Sequence, residues 1–122
     1  MKPWAPLAVA MLTAACGDTA APPRTIAGAD ATQGLAVIQR AGCAACHVVP
    51  GVDWPRGRAG PSLKGFGASP LIAGRLPNRP DVLTAWLIDP PSLAPGTAMP
   101  PSPLTEAEAR DVAAFLYTLD DR

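Results

Sequence analysis

A chain of 122 residues holds one domain at most, and its 16 prolines and 11 glycines predict many turns and long loops wrapped around something large. Ten basic residues balance ten acidic ones, so no basic excess exists to neutralise phosphates, and nucleic acid is excluded as a partner. With three cysteines and a single histidine, thiol and imidazole chemistry is confined to very few positions.

Met1-Lys2 is a short positive start, followed by an apolar run from Trp4 to Ala15 that is too short to span a bilayer and has the form of a secretory signal. The run ends in Leu12-Thr13-Ala14-Ala15-Cys16, which resembles a bacterial lipoprotein signal, with the large aliphatic residue one step further out than usual. That resemblance implies a leader at residues 1–15 and a lipid on Cys16, holding the protein at a membrane surface without a spanning helix. Ordinary cleavage would instead leave Cys16 as a free thiol. Loss of the leader removes Lys2, leaving 9 basic against 10 acidic residues. Residues 16–29 are rich in Ala, Thr and Pro, show no apolar period, and read as a flexible tether. Residues 30–122 form the remaining domain, about 90 residues, a size at which core burial alone is marginal.

The first helix is expected to start near Asp30 or Thr32, either of which suits an N-cap, and to run to Arg40 with Leu35, Val37 and Ile38 as its apolar face. Gly34 costs helix propensity there and predicts a second helix crossing closely at that point. Ala41-Gly42 then leads into Cys43-Ala44-Ala45-Cys46-His47.

Two thiols three positions apart, followed at once by a histidine, is the arrangement that attaches a c-type haem. On one helical turn both sulfurs reach the porphyrin vinyl groups while the next side chain points at the iron, which leaves one axial position open. A zinc site wants four nitrogen or sulfur ligands, and once Cys16 is otherwise committed the chain runs short of them. A thioredoxin-like redox pair needs a βαβ context, and no convincing β-strand appears. There is no second motif of this kind, so one haem is the limit.

Beyond His47 a loop from Val48 to Gly60 is broken by Pro50, Gly51, Pro55 and Gly57, and Arg56 and Arg58 make it locally basic. Those arginines are either solvated or poised for an acidic docking partner or a haem propionate. Gly60-Pro61-Ser62-Leu63 comes next, then an irregular stretch over 65–80. A short helix is expected over Asp81–Pro90, with Val82, Leu83, Trp86 and Leu87 apolar and a stop at Pro90-Pro91. Because Met1 and Met11 leave with the leader, Met99 is the remaining thioether. The last helix opens with a capping box, Thr105 and Glu108, and carries a stripe of Val112, Phe115, Leu116 and Leu119.

The cysteine pair with His47, the Gly60-Pro61-Ser62-Leu63 loop, and Met99-Pro100 before a last helix together resemble the class I cytochrome c pattern, over about residues 30–120. The run from Leu76-Pro77-Asn78 through Asp89-Pro90 to Met99-Pro100 looks especially like the cytochrome c domain fused to subunit II of caa-type oxidases. The resemblance implies a small all-α fold around one covalent haem, with His47 and Met99 as axial ligands and the Pro61 carbonyl accepting from the histidine's other ring nitrogen. That group carries an arginine where this chain has Ser69, so Arg75 and the Trp86 indole stand as substitute partners for a propionate, Trp86 serving equally as plain core.

The same resemblance implies a one-electron carrier rather than an enzyme, and the lipoprotein-like signal implies a lipid anchor on the periplasmic side of a bacterial membrane. A terminal oxidase would be its acceptor and a quinol-oxidising complex its donor. Two alternatives remain: a fixed haem relay within an oxidase or periplasmic dehydrogenase, and a gas-binding or peroxidatic haem protein, which needs an open sixth position.

Overall fold

Asp30, not Thr32, caps the first helix. Its carboxylate accepts from the Thr32 N–H at 2.8 Å and the Gln33 N–H at 3.2 Å, and α1 runs Ala31–Ala41. The computed structural model describes residue 1 and residues 24–120, so the leader and Cys16 lie outside the described residues. Gly42 closes α1 in the left-handed region, φ 75°, its N–H returning to the Ile38 carbonyl.

The final helix, α4, spans Glu106–Tyr117 and has the expected reciprocal cap: Thr105 Oγ1 accepts from the Glu108 N–H at 3.2 Å, and Glu108 Oε2 accepts from the Thr105 N–H at 2.9 Å. Its buried stripe includes Val112, Phe115 and Leu116, and it packs chiefly across α1. At the crossing Gly34 is buried, and a Cβ there would overlap the Asp111 carbonyl and press on Phe115. Two polar contacts fasten the same pair of helices. Asp111 Oδ1 accepts from the Asp30 N–H at 2.8 Å, and Arg40 donates to Glu108 Oε1 at 2.6 Å.

Between them the chain forms α2 over Pro80–Ile88 and a single turn, α3, over Pro90–Leu93. The expected stop at Pro90 is real, but the same residue opens α3 as its first helical position, where a missing N–H costs nothing. Leu83, Trp86 and Leu87 of α2 are buried, and α2 rests on α4. The irregular stretch over 65–80 contains a two-stranded antiparallel ribbon, β1 Leu71–Ile72 paired with β2 Leu76–Pro77, turned through Ala73 and Gly74 at φ 50° and 71°. Strands of two residues leave no alternation to read in a sequence.

The boundary of the tether also differs from its compositional reading. Residues 24–29 lie on the domain: Ile26 packs against the core, Arg110 donates to the Ala27 carbonyl at 2.7 Å, and Arg24 donates to the Gly67 carbonyl at 2.7 Å. Composition registers the absence of an apolar period; it does not register arginines that reach across the chain.

Gly34→Ala is expected to lower the stability of the haem-loaded protein by about 2 kcal/mol or more, since the obstructing atoms are backbone. That is a fall of roughly 10 °C in thermal midpoint. An unchanged midpoint would show the crossing to be slack. Glu108 yields a second expectation. Its carboxyl is held below the ordinary value of 4.5 by the Thr105 N–H and then by the Arg40 guanidinium. A depressed carboxyl contributes stability that is present above its unfolded-state value and lost as pH falls through its folded-state value. Thermal midpoints of wild type and Glu108→Gln should therefore separate near neutrality and converge below pH 4.5; parallel curves would remove Glu108 from the acid response.

Candidate functional site

After Gly42 the backbone winds into a 3-10 turn over Cys43–Ala45, and the N–H groups of Cys46 and His47 both return to the Cys43 carbonyl, at 3.2 and 3.1 Å. This turn brings Cys43, Cys46 and His47 to one cavity of about 700 Å³ with mostly apolar walls. Leu83, Trp86 and Leu87 of α2, Val112 and Leu116 of α4, and Met99 from the loop before α4 complete the walls. Cys43 is half-buried and Cys46 exposed. Burial pushes the Cys43 thiol up, a backbone N–H draws it partly back, and the neighbouring Cys46 adds to the rise.

His47 is held from two sides. Its Nδ1 lies 2.7 Å from the Pro61 carbonyl, which has no proton to give, so Nδ1 carries a hydrogen, and Nε2 is the nitrogen available to a ligand in the neutral ring. Gly60 packs close against the ring, and a Cβ at that residue would overlap the imidazole. Met99 is half-buried, and its N–H donates to Thr97 Oγ1 at 3.3 Å. The far end of the same loop is tied to α2 where the Ser102 N–H donates to the Ile88 carbonyl at 2.9 Å.

Of the residues singled out from sequence, Cys43, Cys46, His47, Pro61, Trp86 and Met99 all line this cavity. Arg75 does not: it stands exposed just past the β1–β2 turn, its N–H returning to the Ile72 carbonyl at 3.1 Å. Trp86 is buried, and its indole N–H has no partner among the described residues. Ser69, aligned with an arginine of the resembled group, spends its hydroxyl on the Leu71 carbonyl at 2.8 Å.

Sequence reasoning passed over the support behind the cavity wall. Asn78 is buried, with Nδ2 donating to the Ser69 carbonyl at 2.9 Å and the Phe66 carbonyl at 3.4 Å, while its Oδ1 accepts from the Tyr117 hydroxyl at 3.1 Å. Burial pushes the Tyr117 phenol up, against the Arg24 charge 5.7 Å from the ring centroid, so the hydroxyl stays protonated and donates. Phe66 and Ser69 both border the cavity, and the network joins that border to α4 and to the segment before α1. An asparagine between two prolines looks like a turn residue, and its partner lies 39 positions away.

The donor set fits a covalently attached haem: two thiols from one turn, an imidazole with a free Nε2, a thioether, and apolar walls around them. A helical fold that gathers those groups around one cavity defines a protein built to carry such a group. The cytochrome c family model matches residues 31–120, and the chain belongs to that family. Its cofactor is therefore a covalent c-type haem, and its chemistry is haem-based electron transfer.

The chain is similar to cytochrome c oxidase subunit 2 of Alkalihalophilus pseudofirmus (strain ATCC BAA-2126 / JCM 17055 / OF4), 38% identical over 90 residues, which cover 73% of this chain and 25% of that protein. Similarity to the same subunit of Bacillus sp. (strain PS3) is 33% over 93 residues, 73% of this chain and 26% of that one. The chain thus spans about a quarter of the length of the relatives it matches. Among solved structures, cytochrome cH from Methylobacterium extorquens superposes with a TM-score of 0.54 at 28% identity, covering 73% of this chain and 98% of that one.

Removing the Asn78 side chain leaves the buried Tyr117 hydroxyl and the half-buried Ser69 carbonyl without this partner, while the Phe66 carbonyl keeps the Ser69 N–H, so Asn78→Ala should cost about 1–3 kcal/mol. Tyr117→Phe should cost less on that background than alone. A double-mutant cycle by denaturant unfolding measures the difference, and additive costs would mean that the two side chains do not act together.

Proposed function

We propose that this protein is a one-electron carrier with a single haem, attached through Cys43 and Cys46 and ligated axially by His47 Nε2 and the Met99 thioether. The observation that carries the reading is the 2.7 Å contact between His47 Nδ1 and the Pro61 carbonyl, which fixes the tautomer that leaves Nε2 free, in a cavity that Met99 also lines. When bound, the haem supplies a one-electron couple, and histidine with thioether ligation raises its reduction potential. Every other task falls to the chain. The Pro61 carbonyl keeps the imidazole basic and oriented, Gly60 leaves room for the ring, and Thr97 shapes the turn that presents Met99. The unpartnered Trp86 N–H serves a propionate. No side chain is asked to make or break a bond, so the protein is not itself an enzyme.

The partners in this reading are membrane respiratory complexes, a terminal oxidase as acceptor and a quinol-oxidising complex as donor. Similarity to oxidase subunit 2 supports the first of these. The site of action is the periplasmic face of a bacterial membrane, with lipidated Cys16 as anchor and a leader removed ahead of it. No helix among the described residues is long and apolar enough to cross a membrane. One observation favours a second reading, a fixed relay within a complex: the relatives carry the matching segment as a quarter of a longer oxidase subunit.

Absorption spectra of the purified protein, ferric and ferrous, with and without carbon monoxide, test the ligation. Wild type should show a far-red ferric sulfur-to-iron band and no response to carbon monoxide; Met99→Ala should lose the band and bind the gas. Ready carbon monoxide binding by wild type would overturn the carrier reading in favour of a gas-binding or peroxidatic protein.

A further inference from the structure

The family match begins at residue 31, yet the chain just before it is fastened to the domain. The Asp30 N–H donates to Asp111 Oδ1 at 2.8 Å, Arg110 donates to the Ala27 carbonyl at 2.7 Å, and Arg24 donates to the Gly67 carbonyl at 2.7 Å. Ile26, between the last two, packs against the core. Arg110, Asp111 and Tyr117, which the strap meets in turn, all belong to α4, so residues 24–29 run along that helix towards its C-terminal end. Ordering these residues costs conformational entropy that a plain linker would not spend.

Arg24 is where the strap meets the cavity wall. Its half-buried guanidinium has two contacts at once: Nη1 reaches the Gly67 carbonyl, and the group lies over the Tyr117 ring, 5.7 Å from its centroid. Gly67 is the middle of a 3-10 turn over Phe66–Ala68, and its N–H donates to the Leu119 carbonyl at 2.9 Å. A Cβ at Gly67 would overlap the Tyr117 carbonyl, so the turn lies directly on the end of α4. One glycine thus bonds both ends of the domain. Phe66 before it and Ser69 after the turn both border the haem cavity. Tyr117 reaches the same border by a second route, through Asn78, which donates to the Ser69 and Phe66 carbonyls. Arg24 therefore acts on both routes. A lysine could bring a charge and a donor to Gly67, but not a planar group over the ring.

We propose that Arg24 is a positioning residue of the haem cavity: bonded to Gly67 and set over Tyr117, it holds the border from Phe66 to Ser69 in place, so that the strap over residues 24–29 is part of the cavity wall and not of the tether. The inference rests on the electron-carrier reading and adds to its machinery a residue from outside the family's domain. Its effect on the haem is the exclusion of water. A border that loosens admits solvent, and solvent favours the extra positive charge of the ferric state.

The test uses the full-chain, haem-loaded protein with Arg24→Gln, Arg24→Lys and Arg110→Gln, the last freeing the Ala27 carbonyl without touching Gly67 or Tyr117. Amide hydrogen exchange at Gly67 and at Asn78, whose N–H donates to the Pro70 carbonyl, reports the border. The midpoint potential at low and high salt reports the haem. Arg24→Gln should speed exchange at both amides about tenfold. It should also shift the redox equilibrium towards the ferric form about threefold, by the same factor at either salt concentration. Arg24→Lys should recover part of both effects. Arg110→Gln should lower the thermal midpoint and leave exchange and potential as in wild type. The proposal is overturned if Arg24→Gln exchanges and titrates as wild type does, which would make the strap a segment merely lying on the domain. It is equally overturned if Arg110→Gln moves both readouts as far, which would make the effect one of general loosening. A potential shift that high salt removes, with exchange unchanged, would overturn it as a loss of charge alone. A wild type with no reversible one-electron couple would instead sink the carrier reading, and the exchange rates would still decide whether Arg24 holds the border.

Discussion

Everything in this fold depends on how closely α1 and α4 approach at Gly34. The Asp111 carbonyl occupies the space where any side chain at that residue would sit. The crossing sets where α1 ends, and α1 ends at the turn that carries both cysteines and His47. It also fixes α4, whose Val112 and Leu116 form part of the cavity wall and whose Tyr117 supports another part through Asn78. With so small a core, the two helices cannot drift apart without opening the cavity between them.

The site is assembled from short-range and long-range devices, and these were unequally legible in the sequence. The capping box, the Asp30 cap region and the cysteine turn each involve neighbours within a few positions, so residue type and spacing sufficed to read them. Gly34 was legible for a different reason: a glycine inside a helix costs stability unless a neighbour needs the room. The Pro61 contact with His47 bridges 14 positions and could be reached only through resemblance to a known family.

The features that escaped reading lie at longer range or below the size that leaves a pattern. Arg24 meets Gly67 across 43 positions, and Tyr117 meets Asn78 across 39; nothing local marks either pair. For the same reason composition extends the tether to residue 29, although residues from 24 onward are held to the domain. Arg75, which the resemblance offers as a propionate partner, stands exposed at the β1–β2 turn and outside the cavity lining. Separation along the chain says little about direction once a left-handed turn intervenes.

The clamp on His47 bears on how fast an electron can move. The Pro61 carbonyl on Nδ1 orients the imidazole, and the backbone of Gly60 lies close against the ring. On the proposed ligation through Nε2, a ring held in this way would shift little between oxidation states, and a small rearrangement would let transfer proceed with little driving force. On that ligation the glycine preceding Pro61, which contributes no side chain at all, would have a part in setting the speed of the protein's redox chemistry.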